Sequence, residues 1–179
     1  MGAIMRKAGM AAAAMMMAGG AQAAGPAAPP PTLDYAFTAR ITLAPPVELG
    51  AVEGGRRRFI GITGGTLEGP LLQGTVIPGG GDWQTIAAGG LTQVEARYFL
   101  KAADGTVIEI TNPGVRVASA EVTDKLAKGE PVDPSAYYFR TTPRFVVADG
   151  PHDWMKRHAF VARGVRKPTE VLIDFYVVR

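Results

Sequence analysis

The chain has 179 residues, 47% of them hydrophobic and 20% charged, a size and composition that give one domain with a packed core and exclude wholesale disorder. Its 23 glycines and 14 prolines argue against a helical bundle, and its lack of cysteine excludes disulfide frameworks, thiolate metal sites and cysteine nucleophiles. The formal charge is +3, but setting aside Arg6 and Lys7 leaves 17 basic against 16 acidic groups, which is not the concentrated basic face of a nucleic-acid binder.

The first segment reads as an address. Arg6 and Lys7 form a positive start, an Ala/Met-rich run extends from Ala8 to Ala18, and Ala21-Gln22-Ala23 supplies a small-x-small processing site. The apolar run falls well short of the roughly 20 residues that span a bilayer. The pattern predicts a Sec-type signal peptide over 1–23, cleavage before Ala24, a secreted or periplasmic product and no stable membrane anchor. Residues 24–32 are Pro/Ala-rich and read as a disordered spacer. The domain proper runs over 33–179.

From Tyr35 the pattern has a period of two. Tyr35, Phe37, Ala39, Ile41 and Leu43 share one face, Ala36, Thr38, Arg40 and Thr42 the other, up to Pro45-Pro46. Further strands are predicted over 57–63, 71–77, 92–101, 106–111, 137–147, 158–163 and 170–178. Asp104-Gly105 is a hairpin signal between the strands over 92–101 and 106–111. The basic triplet Arg56-Arg57-Arg58 reads as a solvated strand entry, and the glycine runs 64–65 and 79–81 as bends at barrel corners. One helix is expected over 119–128, with Ser119 as its N-cap and Gly129 as its stop, and one helical turn over 152–157. Seven or eight hairpin-connected strands in this length predict an all-β fold: a single antiparallel β-barrel, calycin-like, with one short helix and a lumen able to hold a small ligand.

The chemistry on offer is narrow. Ser119 and Ser135 are the only serines and neither sits in a Gly-x-Ser-x-Gly elbow. His152 and His158 lack metal-ligand spacing, and the glycine runs lack the lysine of a phosphate loop. No metal and no cofactor is expected. What stands out is polar and aromatic residues within apolar strand runs. Asp82-Trp83 follows three glycines, Arg97 sits mid-strand, Asn112 shares the face of Ile108 and Ile110, and Tyr138 and Arg140 lie in a dense aromatic segment. Each has a structural alternative: Asp82 tying the glycine loop, Trp83 as core or lid, Arg97 paired with Glu95 or Glu109 on an outer face, Asn112 capping the Pro113-Gly114 turn. As a set they predict one polar pocket. Asp82 would be the general base and Tyr138 a proton-transfer partner, with Trp83, Arg97, Asn112 and Arg140 binding the ligand.

The stretch ITGGTLEGPLLQGTVIPGGGDWQ (62–84), the Ala96-Arg97-Tyr98 strand leading to Asp104-Gly105, EPVDPSAYYFRTTPRF (130–145) and Trp154 together resemble the UPF0311 or DUF3237 family. The resemblance covers the mature chain. It implies a compact β-barrel with a central cavity and a link to small aromatic compounds, without a settled activity. Lys156 stands where the family commonly has Asn, so no role of that Asn is carried over, and the leader is not a general family feature.

Two function classes follow. One is a cofactor-independent lyase, decarboxylase or isomerase acting on a small aromatic or carboxylate compound. The other is a non-catalytic periplasmic carrier or sensor of a hydrophobic ligand. Both call for an aromatic or anionic small molecule as partner rather than nucleic acid, and both are compatible with a homo-oligomer.

Overall fold

The computed structural model describes residues 28–179. The predicted leader, its cleavage point and residues 24–27 of the predicted spacer lie outside the described residues. Ten strands follow from the period-two runs: β1 (Leu33–Leu43), β2 (Val47–Val52), β3 (Gly55–Glu68), β4 (Gly74–Ile86), β5 (Leu91–Ala102), β6 (Val107–Val117), β7 (Tyr138–Thr141), β8 (Arg144–Val147), β9 (Phe160–Arg166) and β10 (Glu170–Val178). All pairings are antiparallel, in the order β1-β10-β9-β7-β6-β5-β4-β3, and β1 pairs with β3 to close the barrel. β7 and β8 act as one broken stave against β6, which gives a closed eight-stranded wall.

Four local outcomes refine the sequence reading. A bulge in β1 between Tyr35 and Phe37 turns Tyr35 outward and buries Ala36 and Phe37 together, because the extra residue shifts the alternation by one. β2 is an additional short strand after Pro45-Pro46, paired only with β3. β6 does not stop at Thr111 but continues through Asn112-Pro113-Gly114 to Val117. The predicted 137–147 strand breaks at Thr142-Pro143 into β7 and β8, since proline has no amide hydrogen to give the ladder.

The glycine run 79–81 lies inside β4, at an irregularity in its pairing with both β3 and β5. Gly79 has a φ of 108°, which favours glycine, and a side chain on Gly81 would run into the Phe59 ring.

The α-helix is α1 (Ala120–Ala127). Ser119 caps it by accepting from the Val122 amide at 3.2 Å, and Leu126 and Thr123 are its buried residues. A 3-10 turn at Asp153–Lys156 matches the second predicted turn and buries Met155. Among the described residues no helix is long and apolar enough to cross a membrane.

The narrowest joint of the wall is β7 with β9, where the ladder consists of Arg140 opposite Arg163 and Thr141 opposite Ala162.

Candidate functional site

Strand alternation decides which side chains reach the interior. Toward the end of the barrel where α1 follows β6, the inward positions are unusually polar. Arg58 comes from β3, Asp82 and Gln84 from β4, Tyr98 from β5, Asn112 and Arg116 from β6, and Arg166 from the end of β9. Arg58 and Arg116 are each only 1% exposed.

These groups form a partly satisfied network. Arg58 donates from Nε and Nη2 to Gln84 Oε1 at 2.9 and 2.8 Å. Gln84 in turn donates from Nε2 to Asp82 Oδ2 at 2.5 Å. The Glu95 amide donates to Asp82 Oδ1 at 3.2 Å. The relay links Arg58 to the carboxylate through a neutral amide. Arg58 also lies 4.0 Å from Glu48 of β2, which is half-exposed.

Arg116 and Arg166 are served far less well. Arg116 has one long contact from Nη2 to Thr92 Oγ1, 3.4 Å, and rests 5.9 Å from the centre of the Phe139 ring. Arg166 donates from Nη1 to the Glu170 carbonyl at 3.1 Å, and its own amide donates to Tyr137 Oη at 3.0 Å. Buried atoms without a protein partner include Arg116 Nη1, Arg166 Nε, Asn112 Oδ1, Tyr98 Oη and Thr141 Oγ1. Removing a cation from water costs several kcal/mol unless a partner compensates. A wall that buries two arginines this way is therefore poor as packing.

The titration behaviour follows from the same burial. Loss of water raises Asp82 above the usual carboxylate value, with the Gln84 hydrogen bond and then the Glu95 amide working against the rise. Burial first, and Arg58 second, bring Arg116 down to about 10. Arg58 and Arg166 are lowered by burial as well. Tyr98 is pushed up by burial. Asn112 counters that rise in part, although the two side chains do not meet in full hydrogen-bonding geometry.

The enclosed space gives the centre of a water-sized sphere about 40 Å³, room for about three waters or the charged head of a small molecule. Apolar neighbours such as Ile60, Ile62 and Val94 complete its wall. A barrel of this closure, length and signature can be compared directly with known proteins. The family model described as "Protein of unknown function (DUF3237)" matches residues 31–178. The chain belongs to the DUF3237 family.

Relatives support the assignment over nearly their full length. The UPF0311 protein blr7842 of Bradyrhizobium diazoefficiens is 40% identical over 149 residues, 82% of this chain and 97% of that protein. A crystal structure of a protein of unknown function from Rhodopseudomonas palustris has a TM-score of 0.81 at 36% identity, covering 85% of this chain and all of that one. A β-barrel-like protein from Acinetobacter baumannii has a TM-score of 0.74 at 36% identity, covering 85% and 98%. An enzyme from Penicillium herquei, at 20% identity and a TM-score of 0.65 over 87% of this chain and all of that one, shares the fold.

The DUF3237 barrel brings together two of the six residues singled out from the sequence. Asp82 and Asn112 line the interior. The other four stand outside it, and the expected convergence of all six is corrected. Trp83 is 40% exposed and packs on Phe59, its cross-strand partner, with ring centroids 4.9 Å apart. As the neighbour of inward Asp82 it must face outward. Arg97 adjoins inward Tyr98 and is bound on the outer wall to Glu109, Nε and Nη2 reaching Oε1 at 2.8 and 2.5 Å. That is its structural alternative. Tyr138 is 51% exposed and carries the Arg140 guanidinium 5.1 Å from its ring centre. On this stave Phe139 and Thr141 take the inner face.

Arg58, Gln84, Arg116 and Arg166 carry no assignment in the sequence-predicted pocket, and Tyr98 stands out there only as the neighbour of Arg97. The signal for two of them was present. Arg58 shares the frame of Ile60 and Ile62, so the triplet is not wholly solvated. The Ile108–Ile110–Asn112 frame reaches Arg116 once β6 is carried through Pro113-Gly114.

Proposed function

We propose that this DUF3237 barrel binds a small anionic molecule, aromatic or carboxylate-bearing, in its arginine-lined interior. There it moves a proton on the ligand without a cofactor, in the manner of a lyase, decarboxylase or isomerase. The observation that carries the reading is the presence in one cavity of Asp82, a carboxylate raised by burial, with buried Arg116 and Arg166, each of which keeps one buried nitrogen without a protein partner. The arginines supply charge-assisted hydrogen bonds to an oxyanion. They also stabilise the negative charge that develops when a proton leaves carbon beside a carbonyl. Asp82 is the base, because a raised carboxylate holds a transferred proton better than an ordinary one. Gln84 and the Glu95 amide orient it. We propose, from the leader read at residues 1–23, that this activity is exported to the periplasm or the exterior.

The carrier reading retains one favourable observation: Asp82 is already engaged by two donors, as a tie within the wall would be. Phenylpyruvate, an anionic aromatic acid with an enolisable methylene, separates the two. The exchange of that methylene into D2O is followed by NMR, alongside native mass spectrometry of the purified protein for a retained ligand. Catalysed exchange in the wild type, reduced about a hundredfold in Asp82→Asn with affinity kept, supports the enzyme. Binding without catalysed exchange, or exchange indifferent to Asp82→Asn, assigns the carrier role.

A further inference from the structure

The interior holds an imbalance that acid/base chemistry at Asp82 does not require. Arg58 has counter-charge on both sides, Asp82 through Gln84 and Glu48 at 4.0 Å. Arg116 and Arg166 share only the same Asp82, at a distance, and neither makes a salt bridge among the described residues. The one carboxylate near Arg166 in sequence, Glu170, is turned to Arg40 and Lys167 and offers Arg166 only its backbone carbonyl. Arg116 and Arg166 are like charges brought to one interior. They come from β6 and β9, with β7 between them, and both line the same cavity. Each keeps a buried N–H with no partner, Nη1 on Arg116 and Nε on Arg166.

A single carboxylate satisfies one planar guanidinium fork and leaves the second cation unmatched. We infer that the interior takes a small dicarboxylate, one carboxylate on Arg116 and the other on Arg166. The inference rests on the anion-binding reading above and names the class of anion. Apolar residues that line the same cavity, Val171 and Ile173 of β10 among them, suit a short hydrocarbon link. The small space favours the shortest link.

Isothermal titration calorimetry of the wild-type protein with malonate, succinate, acetate and inorganic phosphate tests this without any variant. Malonate or succinate should bind about tenfold or more tightly than acetate, and more tightly than phosphate. Acetate equal to the dicarboxylates would overturn the dianion, and phosphate as the strongest ligand would overturn the dicarboxylate. In both cases the anion-binding reading stands. If no anion binds and phenylpyruvate is neither bound nor exchanged, the reading itself fails. Arg116→Met and Arg166→Met should each reduce malonate affinity to the level of acetate, while Arg140→Met, on the outer wall, leaves it unchanged. A dicarboxylate preference that survives both interior substitutions would place the site elsewhere and reject the assignment. Thermal melting of the unliganded variants reports their folding independently of binding.

Discussion

The two halves of this lumen are built on opposite terms. At the end enclosed by β8, Phe37 stacks on Phe175 with ring centroids 4.5 Å apart. Phe145 meets Phe175 and Phe160 at 6.0 and 4.9 Å. Ile108, Leu100 and Val177 fill the remainder, all with no solvent exposure. At the end enclosed by β7 the same strands turn inward Arg58, Asp82, Asn112, Arg116 and Arg166, and several of their polar atoms lack partners. The first half is close-packed aromatic and aliphatic surface, which stabilises roughly in proportion to the area it hides. The second half gives up that contribution and accepts desolvation penalties. Close packing and unsatisfied polarity have thus been separated along one wall, and each can be perturbed without the other.

The largest effect should come from the apolar half. Phe175→Ala removes a ring from the stack and should lower unfolding free energy by about 3–5 kcal/mol, measured by denaturant titration. The protein that remains folded should keep its anion affinity. Arg116→Met should act in the reverse sense. With an unpaired cation removed from the interior, chemical denaturation should show unchanged stability or a gain of about 1–4 kcal/mol. A loss of that size would show that Arg116 is a packing element after all.

The next effect is one of pH. Because Asp82 is raised in the folded protein, the native state holds its proton more tightly than the unfolded chain. That contribution is present below the ordinary carboxylate value of 3.8 and is lost as pH rises through the raised value. Stability of Asp82→Asn minus that of wild type should therefore increase with pH across this window, at no more than about 1.4 kcal/mol per pH unit. A flat difference would place Asp82 in an ordinary environment. The smallest effect belongs to the outer wall: Arg97→Ala should change stability by about 0.2–1 kcal/mol and ligand binding not at all.

Most of the fold was legible because it rests on period two and on turn chemistry. Asp104-Gly105, the Ser119 cap and the long runs in β5 and β10 all announce themselves locally. β2 was hidden because Val47–Val52 follows two prolines and carries glycine, so its pairing with β3 depends on a partner rather than on its own residues. The site was less legible, for a different reason. In an alternating strand a polar residue names two possible faces, and only the frame chooses between them. For Asn112 the flanking isoleucines fix the frame, and the inward reading follows. For Tyr137-Tyr138-Phe139 three aromatics in succession fix nothing, and Tyr138 and Arg140 fall on the outer face. Asp82 and Trp83, being adjacent, cannot share a lumen. Arg116 is hidden behind Pro113-Gly114, a turn signal in sequence, although Thr142 finds the Pro113 carbonyl and the ladder carries on.

The short joint between β7 and β9 has a mechanical consequence. A closed hoop distributes tension around its circumference, so it yields first where the fewest bonds cross. Two residue pairs cross there, and one of them sets Arg140 against Arg163, like charges that push the edges apart. The amides of Thr141 and Ala162 should be the first of the wall to exchange with solvent. Phe139, on the inner face of β7, lies next to this joint and carries the guanidinium of Arg116 5.9 Å from its ring centre. The weakest stretch of the hoop therefore adjoins one of its buried cations.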